Sequence, residues 1–134
     1  MKKKLILSTA FVLSLSPMLL NQYGGLKGVQ EITGLINLLN PIGIISVVLF
    51  FTGVWVTFNN HAYNKLLCTL GTIGIVASEI YKFMTWHVMT ITGEINLYQS
   101  IRLAFPEFYF GLFISLVMII VYYVIDDNMH NETI

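Results

Sequence analysis

The chain has 134 residues, of which 56% are hydrophobic and only 10% are charged, and its seven basic side chains balance its seven acidic ones. Because a soluble globular domain carries about 25% charged residues, this composition argues against a soluble protein and predicts an integral membrane protein. The balanced charge also predicts no basic patch for nucleic acid or for anionic lipid.

Four apolar segments predict an all-α membrane fold with four transmembrane helices. The predicted spans are residues 5–20, 41–58, 66–86 and 107–125 of a single membrane domain covering residues 1–134. A helix that crosses a bilayer needs about 20 apolar residues. The last three segments meet that requirement, the second of them narrowly, whereas the first is short.

The first segment allows two interpretations. Three lysines, a short apolar stretch and small residues are also typical of a secretory signal peptide that is removed. The best cleavage position, Ser14-Leu15-Ser16, is followed directly by Pro17, which is expected to hinder cleavage. We therefore expect a retained helix that is kinked or frayed at Pro17, with a cleaved leader as the alternative.

Two arms, residues 26–40 and 88–105, carry apolar residues at helical spacing with polar residues between them. The apolar positions are Leu26, Val29, Ile32, Ile36 and Leu39 in the first arm, and Val88, Ile91, Ile95, Tyr98, Ile101 and Phe105 in the second. This periodicity predicts two amphipathic helices, lying either at the membrane interface or on the protein's own outer surface. Each arm leads into a proline, Pro41 or Pro106, a residue favoured at the first position of a helix.

Each half of the chain would thus contain a span, an amphipathic arm, a proline and a second span, which allows two tandem helix-pair halves of one orientation. Basic residues set the orientation of a multi-pass protein, and the lysines at positions 2–4 and Lys65 predict that both termini are cytoplasmic. The two arms would then lie outside, and the loop at residues 59–65 inside. The expected location is a cell's inner membrane or an equivalent membrane.

The third span carries two charges near its predicted outer end. Glu79 lies roughly 10 Å and Lys82 roughly 6 Å before Trp86, at 1.5 Å per helical residue. Lysine can extend to the headgroups, whereas a carboxylate at that depth is costly. The spacing of three residues predicts an intramembrane ion pair between Glu79 and Lys82. Contact with a partner subunit, or a proton or ion site, is the functional alternative.

Small residues recur along one face of the same span, at Gly71, Gly74 and Ser78, and again in the last span at Gly111 and Ser115. Small side chains let helices approach closely inside a membrane. These five residues are therefore predicted to form helix-packing surfaces, including contacts with a partner.

The sequence contains none of the motifs for a phosphate-binding loop, a zinc protease or a serine hydrolase. Cys68 is the single cysteine, so no disulfide or thiolate metal cluster can form within the chain. His61 and His87 flank a span about 30 Å long and cannot share a metal. Both, together with His130, are expected at the surface or among headgroups. We predict no catalytic residue, no cofactor and no metal, and hence no enzyme.

Pro41 and Gly43 begin an apolar helix, a short polar turn follows at residues 59–65, and a second Gly-rich apolar helix ends near Lys82. Over about residues 26–83, this order resembles the two-helix hairpin of the conjugative, type IV secretion pilins. The positions that carry the resemblance also include Gly53, Gly71 and Gly74. The resemblance implies a subunit that loses a leader and assembles with copies of itself.

Taken together, these features favour a non-enzymatic, multi-pass membrane protein that is a subunit or assembly factor of a larger membrane complex. Its expected partners are the lipid bilayer and other membrane-protein subunits, and not nucleic acid. A pilin-like subunit is the alternative. A toxin-immunity protein, which the four-span outline resembles, and a holin also fit the size of the chain.

Overall fold

The computed structural model describes residues 1–24 and 30–131. Six α-helices and one two-stranded antiparallel sheet make up its named elements there, with a 3-10 turn at Ser16–Leu19 and a π turn at Val88–Thr92. The helices are α1 (Lys2–Ser14), α2 (Leu35–Leu38), α3 (Pro41–Trp55), α4 (His61–Thr85), α5 (Leu97–Leu103) and α6 (Pro106–Asn131). The strands are β1 (Asn21–Tyr23) and β2 (Ile32–Thr33).

The α3–α4 pair is the most extensive helix contact in the described part of the chain. Pro41 begins α3, and the side chain of Asn40 caps it by accepting a hydrogen bond from the amide of Gly43. Asn60 caps α4 in the same way. Asn64 then donates to two carbonyl groups at the end of α3, so the turn between the helices satisfies backbone groups that would otherwise lack partners.

Two aromatic clusters form the core, one toward each end of the bundle. In the first, the rings of Phe11 in α1 and Phe50 in α3 stack with centroids 3.9 Å apart, and Tyr122 of α6 packs edge-on to Phe50. In the second, Phe83 of α4 stacks on Phe108 of α6 at 4.8 Å. We name the end that holds the second cluster and the β1–β2 hairpin the hairpin end.

The expected helical fold is confirmed, but four transmembrane helices are not. Within the described residues, two helices are long and apolar enough to cross a bilayer, His61–Thr85 and Pro106–Asn128. The 13 residues of α1 and the 15 of α3 would extend only about 20 Å and 22 Å, against a hydrocarbon core of about 30 Å. α1 stops at Ser14, and the chain continues through Pro17 as a 3-10 turn.

The first arm, residues 26–40, is not one amphipathic helix. Residues 26–29 lie outside the described part of the chain, and the rest divides into β2 and the single turn of α2. β1 pairs with β2 and is also bonded to the other arm, because the amide of Phe105 donates to the carbonyl of Gln22. The hairpin thus packs on the protein's own surface, one of the two arrangements expected.

The second arm, residues 88–105, is divided as well. Gly93 adopts a left-handed conformation with φ of 72°, which favours glycine and interrupts a helix. Asn96 then caps α5, its side chain accepting hydrogen bonds from the amides of Tyr98 and Gln99. Since the arms fold differently, the expected similarity of two tandem halves does not extend to their connections.

Candidate functional site

Glu79, the buried carboxylate of the third predicted span, faces α6. Its side chain is 1% exposed, and Ser115 lies beside its carboxyl group. A Cβ atom placed on Gly111 would lie 3.8 Å from Glu79 Oε1. The small residues of α6 therefore make room for a carboxyl group between the two long helices.

The predicted ion pair between Glu79 and Lys82 is not formed. The Lys82 ammonium lies 5.7 Å from the ring centroid of Tyr81 on its own helix, and Lys82 is only partly buried. α6 covers the face of α4 that holds Glu79, whereas Lys82 lies at the edge of that face. A spacing of three residues allows a pair, but Glu79 is buried beside α6, whereas Lys82 is partly exposed beside Tyr81.

A chain of hydrogen bonds centred on Asn37 fills the hairpin end beside this carboxyl group. The Tyr23 hydroxyl donates to Asn37 Oδ1 at 2.6 Å, and Asn37 Nδ2 donates to Gln22 Oε1 at 2.8 Å. Gln22 Nε2 donates in turn to the carbonyl of Pro17 at 2.9 Å. All three side chains are fully buried.

These three residues and four others at the hairpin end form one group of buried polar side chains, which we call the polar cluster: Gln22, Tyr23, Asn37, Asn40, Ser78, Glu79 and Ser115.

Asn40 and Ser78 connect the polar cluster to α4. Asn40 Nδ2 donates to the Asn37 carbonyl at 2.7 Å and to Ser78 Oγ at 2.6 Å. Ser78 Oγ itself donates to the Asn37 carbonyl. Because Asn40 also caps α3, one side chain fixes the start of α3 against the last turns of α4.

Tyr23 acts in this cluster as a neutral donor. Burial raises the pKa of its hydroxyl well above the ordinary value, and the nearby Glu79 carboxylate raises it further. The hydroxyl therefore keeps its proton at physiological pH. It can therefore hold the side-chain oxygen Oδ1 of Asn37 in place.

Three buried polar atoms of the described residues have no hydrogen-bond partner: Glu79 Oε2, Ser115 Oγ and Trp86 Nε1. The Trp86 ring lies 5.2 Å from the ring of Tyr23, so all three belong to the same end of the bundle. A carboxyl oxygen in this position can hold a proton or accept a hydrogen bond from a water molecule. No group of three potential metal ligands occurs among the described side chains.

The predicted packing residues lie against their own chain. A Cβ on Gly71 would lie 2.7 Å from Phe50 Cβ, and a Cβ on Gly74 would lie 2.1 Å from Ser46 Oγ, so both glycines accommodate α3. A Cβ on Gly111 would lie 3.1 Å from Gln22 Nε2. Ser78 and Ser115 are buried in the polar cluster. Close packing at these five positions therefore occurs within the protein, which leaves the contact with a partner to other surfaces.

Several members of the cluster carried no signal in the sequence. Gln22 lies just after the first predicted span, and Asn37 falls on the polar side of the predicted amphipathic arm. Their burial depends on the hairpin folding back onto α4 and α6. A possible signal for Asn40 was its position before Pro41, which predicts a helix cap.

His87 forms a second polar contact at the hairpin end, and the expectation that it lies at the surface is wrong. The ring is fully buried, with Nδ1 2.7 Å from Thr92 Oγ1 and Nε2 2.8 Å from Ser100 Oγ. It joins the π turn to α5. Burial lowers the pKa of His87 because the charged form loses hydration.

This burial predicts that acid destabilises the hairpin end. As the pH falls through about 6.5, the unfolded chain takes up a proton at His87 that the folded chain does not bind, so the free energy of unfolding decreases. We expect the thermal midpoint of the native protein in detergent to fall relative to that of His87→Gln when the pH is lowered from 7.5 to 5. Equal pH dependence in the two proteins would contradict this prediction.

Comparison with known proteins gives no family model that matches the chain, and no curated protein or solved structure with significant similarity to it.

Proposed function

We propose that this chain is a non-enzymatic membrane protein that acts as a small subunit or assembly factor of a larger membrane complex. The observation that carries the proposal is the set of large apolar side chains exposed on the outer faces of α1, α3, α4 and α6. Examples are Leu13, Val48, Ile73, Phe113 and Ile120. Exposed apolar surface on this scale is typical of contact with lipid or with another protein.

The unequal helix lengths favour a protein partner in addition to lipid. α4 and α6 are long enough to cross a bilayer, whereas α1 and α3 are not. Leu19 and Leu39, near the hairpin-end termini of these two short helices, are more than half exposed. A neighbouring subunit packed beside α1 and α3 would cover this apolar surface.

The polar groups at the hairpin end support a structural role. The side chains of Gln22, Tyr23, Asn37 and Asn40 bond to one another or to backbone carbonyl groups. Such a network fixes the relative positions of helices.

Native mass spectrometry of the protein from its own membranes in mild detergent tests the proposal. We expect the chain in fixed stoichiometry with other polypeptides. An assembly that contains only copies of this chain would favour the pilin alternative, and a lone chain at every detergent concentration would contradict the proposal.

Two kinds of variant separate partner contact from internal packing. Alanine at the outward Val12, Leu13 or Val48 should lower the yield of a partner that binds α1 and α3, at unchanged thermal stability. Glu79→Gln should leave that yield unchanged, because Glu79 is buried within the chain. Loss of the partner in Glu79→Gln alone would instead assign the contact to the polar cluster.

A further inference from the structure

The end of the bundle opposite the hairpin end brings together basic residues that are far apart in the sequence. Asp126 of α6 is 5% exposed and bonds to the ammonium of Lys3 in α1. His61 Nε2 and Lys65 Nζ, both from α4, lie 3.7 Å and 3.9 Å from the same carboxylate. We call this end of the bundle the charged end. The expectation of no basic patch rested on the net charge of the whole chain, which does not show where charged residues meet in the fold.

A cavity of about 200 Å³ opens at the charged end between α1, the α3–α4 turn and α6. Lys3, Lys4, His61 and Asp126 supply charged or titratable groups to its lining, and Leu7 and Val54 supply apolar ones. Ligand pockets for drug-sized molecules measure about 300–1,000 Å³. This cavity is therefore suited to a small headgroup and not to a whole large ligand.

The cationic groups at the cavity outnumber the anionic ones. Among the lining residues, Lys3 and Lys4 carry two positive charges against one negative charge on Asp126, a difference of one before His61 is counted. Within the described residues, no carboxylate pairs with Lys4. Its ammonium donates to the Trp55 carbonyl at 3.3 Å and lies 5.9 Å from the Trp55 ring centroid. Lys4 thus presents an uncompensated charge to an anion.

The apolar part of the cavity continues onto the outer surface of the bundle. Val56 lines the cavity and is about half exposed, and the neighbouring Trp55 is exposed to a similar extent. The Trp55 indole donates to Ser8 Oγ at 3.0 Å, so its polar edge is held by the protein while its ring faces outward. Tryptophan in such a position is typical of the membrane–water boundary. A ligand here would have an anionic head beside Lys4 and apolar chains along the outer surface.

We propose that this cavity binds the phosphate headgroup of an anionic phospholipid, with Lys4 as the main cationic contact. Basic pockets between membrane helices are known to hold such headgroups. The predicted orientation places the charged end in the cytoplasmic leaflet, which is the leaflet rich in anionic lipid. The proposal is independent of any protein partner.

The test compares two lysine variants with the same change in charge. The intact protein is purified in mild detergent, and binding of phosphatidylglycerol and of phosphatidylcholine with matched acyl chains is measured by native mass spectrometry. We expect one phosphatidylglycerol to bind in preference to phosphatidylcholine. Lys4→Gln should weaken this binding about fivefold or more, whereas Lys2→Gln, at an exposed residue outside the cavity lining, should change it little.

Additional variants and a competing anion test whether the binding is specific to this cavity and to lipid. Lys4→Arg should retain binding, and an equal thermal midpoint in Lys4→Gln and Lys2→Gln would show that both proteins are folded. Equal losses in Lys2→Gln and Lys4→Gln would indicate general surface attraction and overturn the site. Displacement of the lipid by millimolar inorganic phosphate would show a free-anion site and overturn the assignment to lipid.

Discussion

Replacing Gly71 with leucine is expected to destabilise the protein by about 3 kcal/mol or more, since overpacking a tight contact costs about 1–3 kcal/mol even where neighbours can move. At this position the neighbours are largely backbone atoms. A Cβ on Gly71 would lie 2.8 Å from the amide nitrogen of Phe50 and 2.8 Å from the carbonyl oxygen of Ser46. α3 can relieve these contacts only by moving away from α4. The thermal midpoint in mild detergent measures the effect.

Ala77→Leu is the matched control on the same helix. Ala77 is exposed, so a leucine there adds apolar bulk toward the surroundings and should change the midpoint little. A Gly71→Leu protein as stable as Ala77→Leu would show that α3 and α4 are not packed at this distance. Gly74→Leu would also crowd α3, there mainly through the side chain of Ser46, whose Oγ would lie 2.1 Å from a Cβ at this position.

Asn37→Leu is expected to have the second large effect. The substitution leaves the Tyr23 hydroxyl and the Gln22 side-chain oxygen Oε1 buried without their partner. Each unsatisfied group costs about 1–3 kcal/mol, so we expect a total loss of about 2–6 kcal/mol in the free energy of unfolding. Denaturant or thermal unfolding, with tryptophan fluorescence as the signal, measures this loss, because Trp86 lies beside Tyr23.

Asn59→Leu provides the control for this substitution. Asn59 is exposed in the turn between α3 and α4, and the same change there removes no buried hydrogen bond. Tyr23→Phe should produce only part of the Asn37→Leu effect, since it removes one of the two hydrogen bonds. A neutral Asn37→Leu protein would mean that water replaces the amide in the polar cluster.

The long apolar helices could be predicted from the sequence because their signals are local. The uncharged stretch that begins at Pro41 predicted α3, and the helix containing Gly71 and Ser78 was expected from its apolar length. Small residues also indicated close packing correctly. Their spacing could not show that the packed neighbour was α3 of the same chain.

The candidate site could be predicted only in part. Glu79 stood out by its depth, but its surroundings depend on Gly111 and Ser115 of α6, and sequence spacing favoured Lys82 instead. Gln22 is buried because backbone hydrogen bonds attach the hairpin to the segment before α6. Such contacts join residues more than 80 positions apart, and no local pattern encodes them.

The contact between Lys3 and Asp126 has a consequence for the order of synthesis. These residues are separated by 123 positions, so α1 gains this partner only after Asp126 has been translated. α3 and α4 are adjacent in sequence and can associate soon after both have emerged. α1 is thus translated before α3 and α4 but reaches its neighbour α6 only after both of them. Chaperone or insertase contacts during translation would protect its apolar surface in the interval.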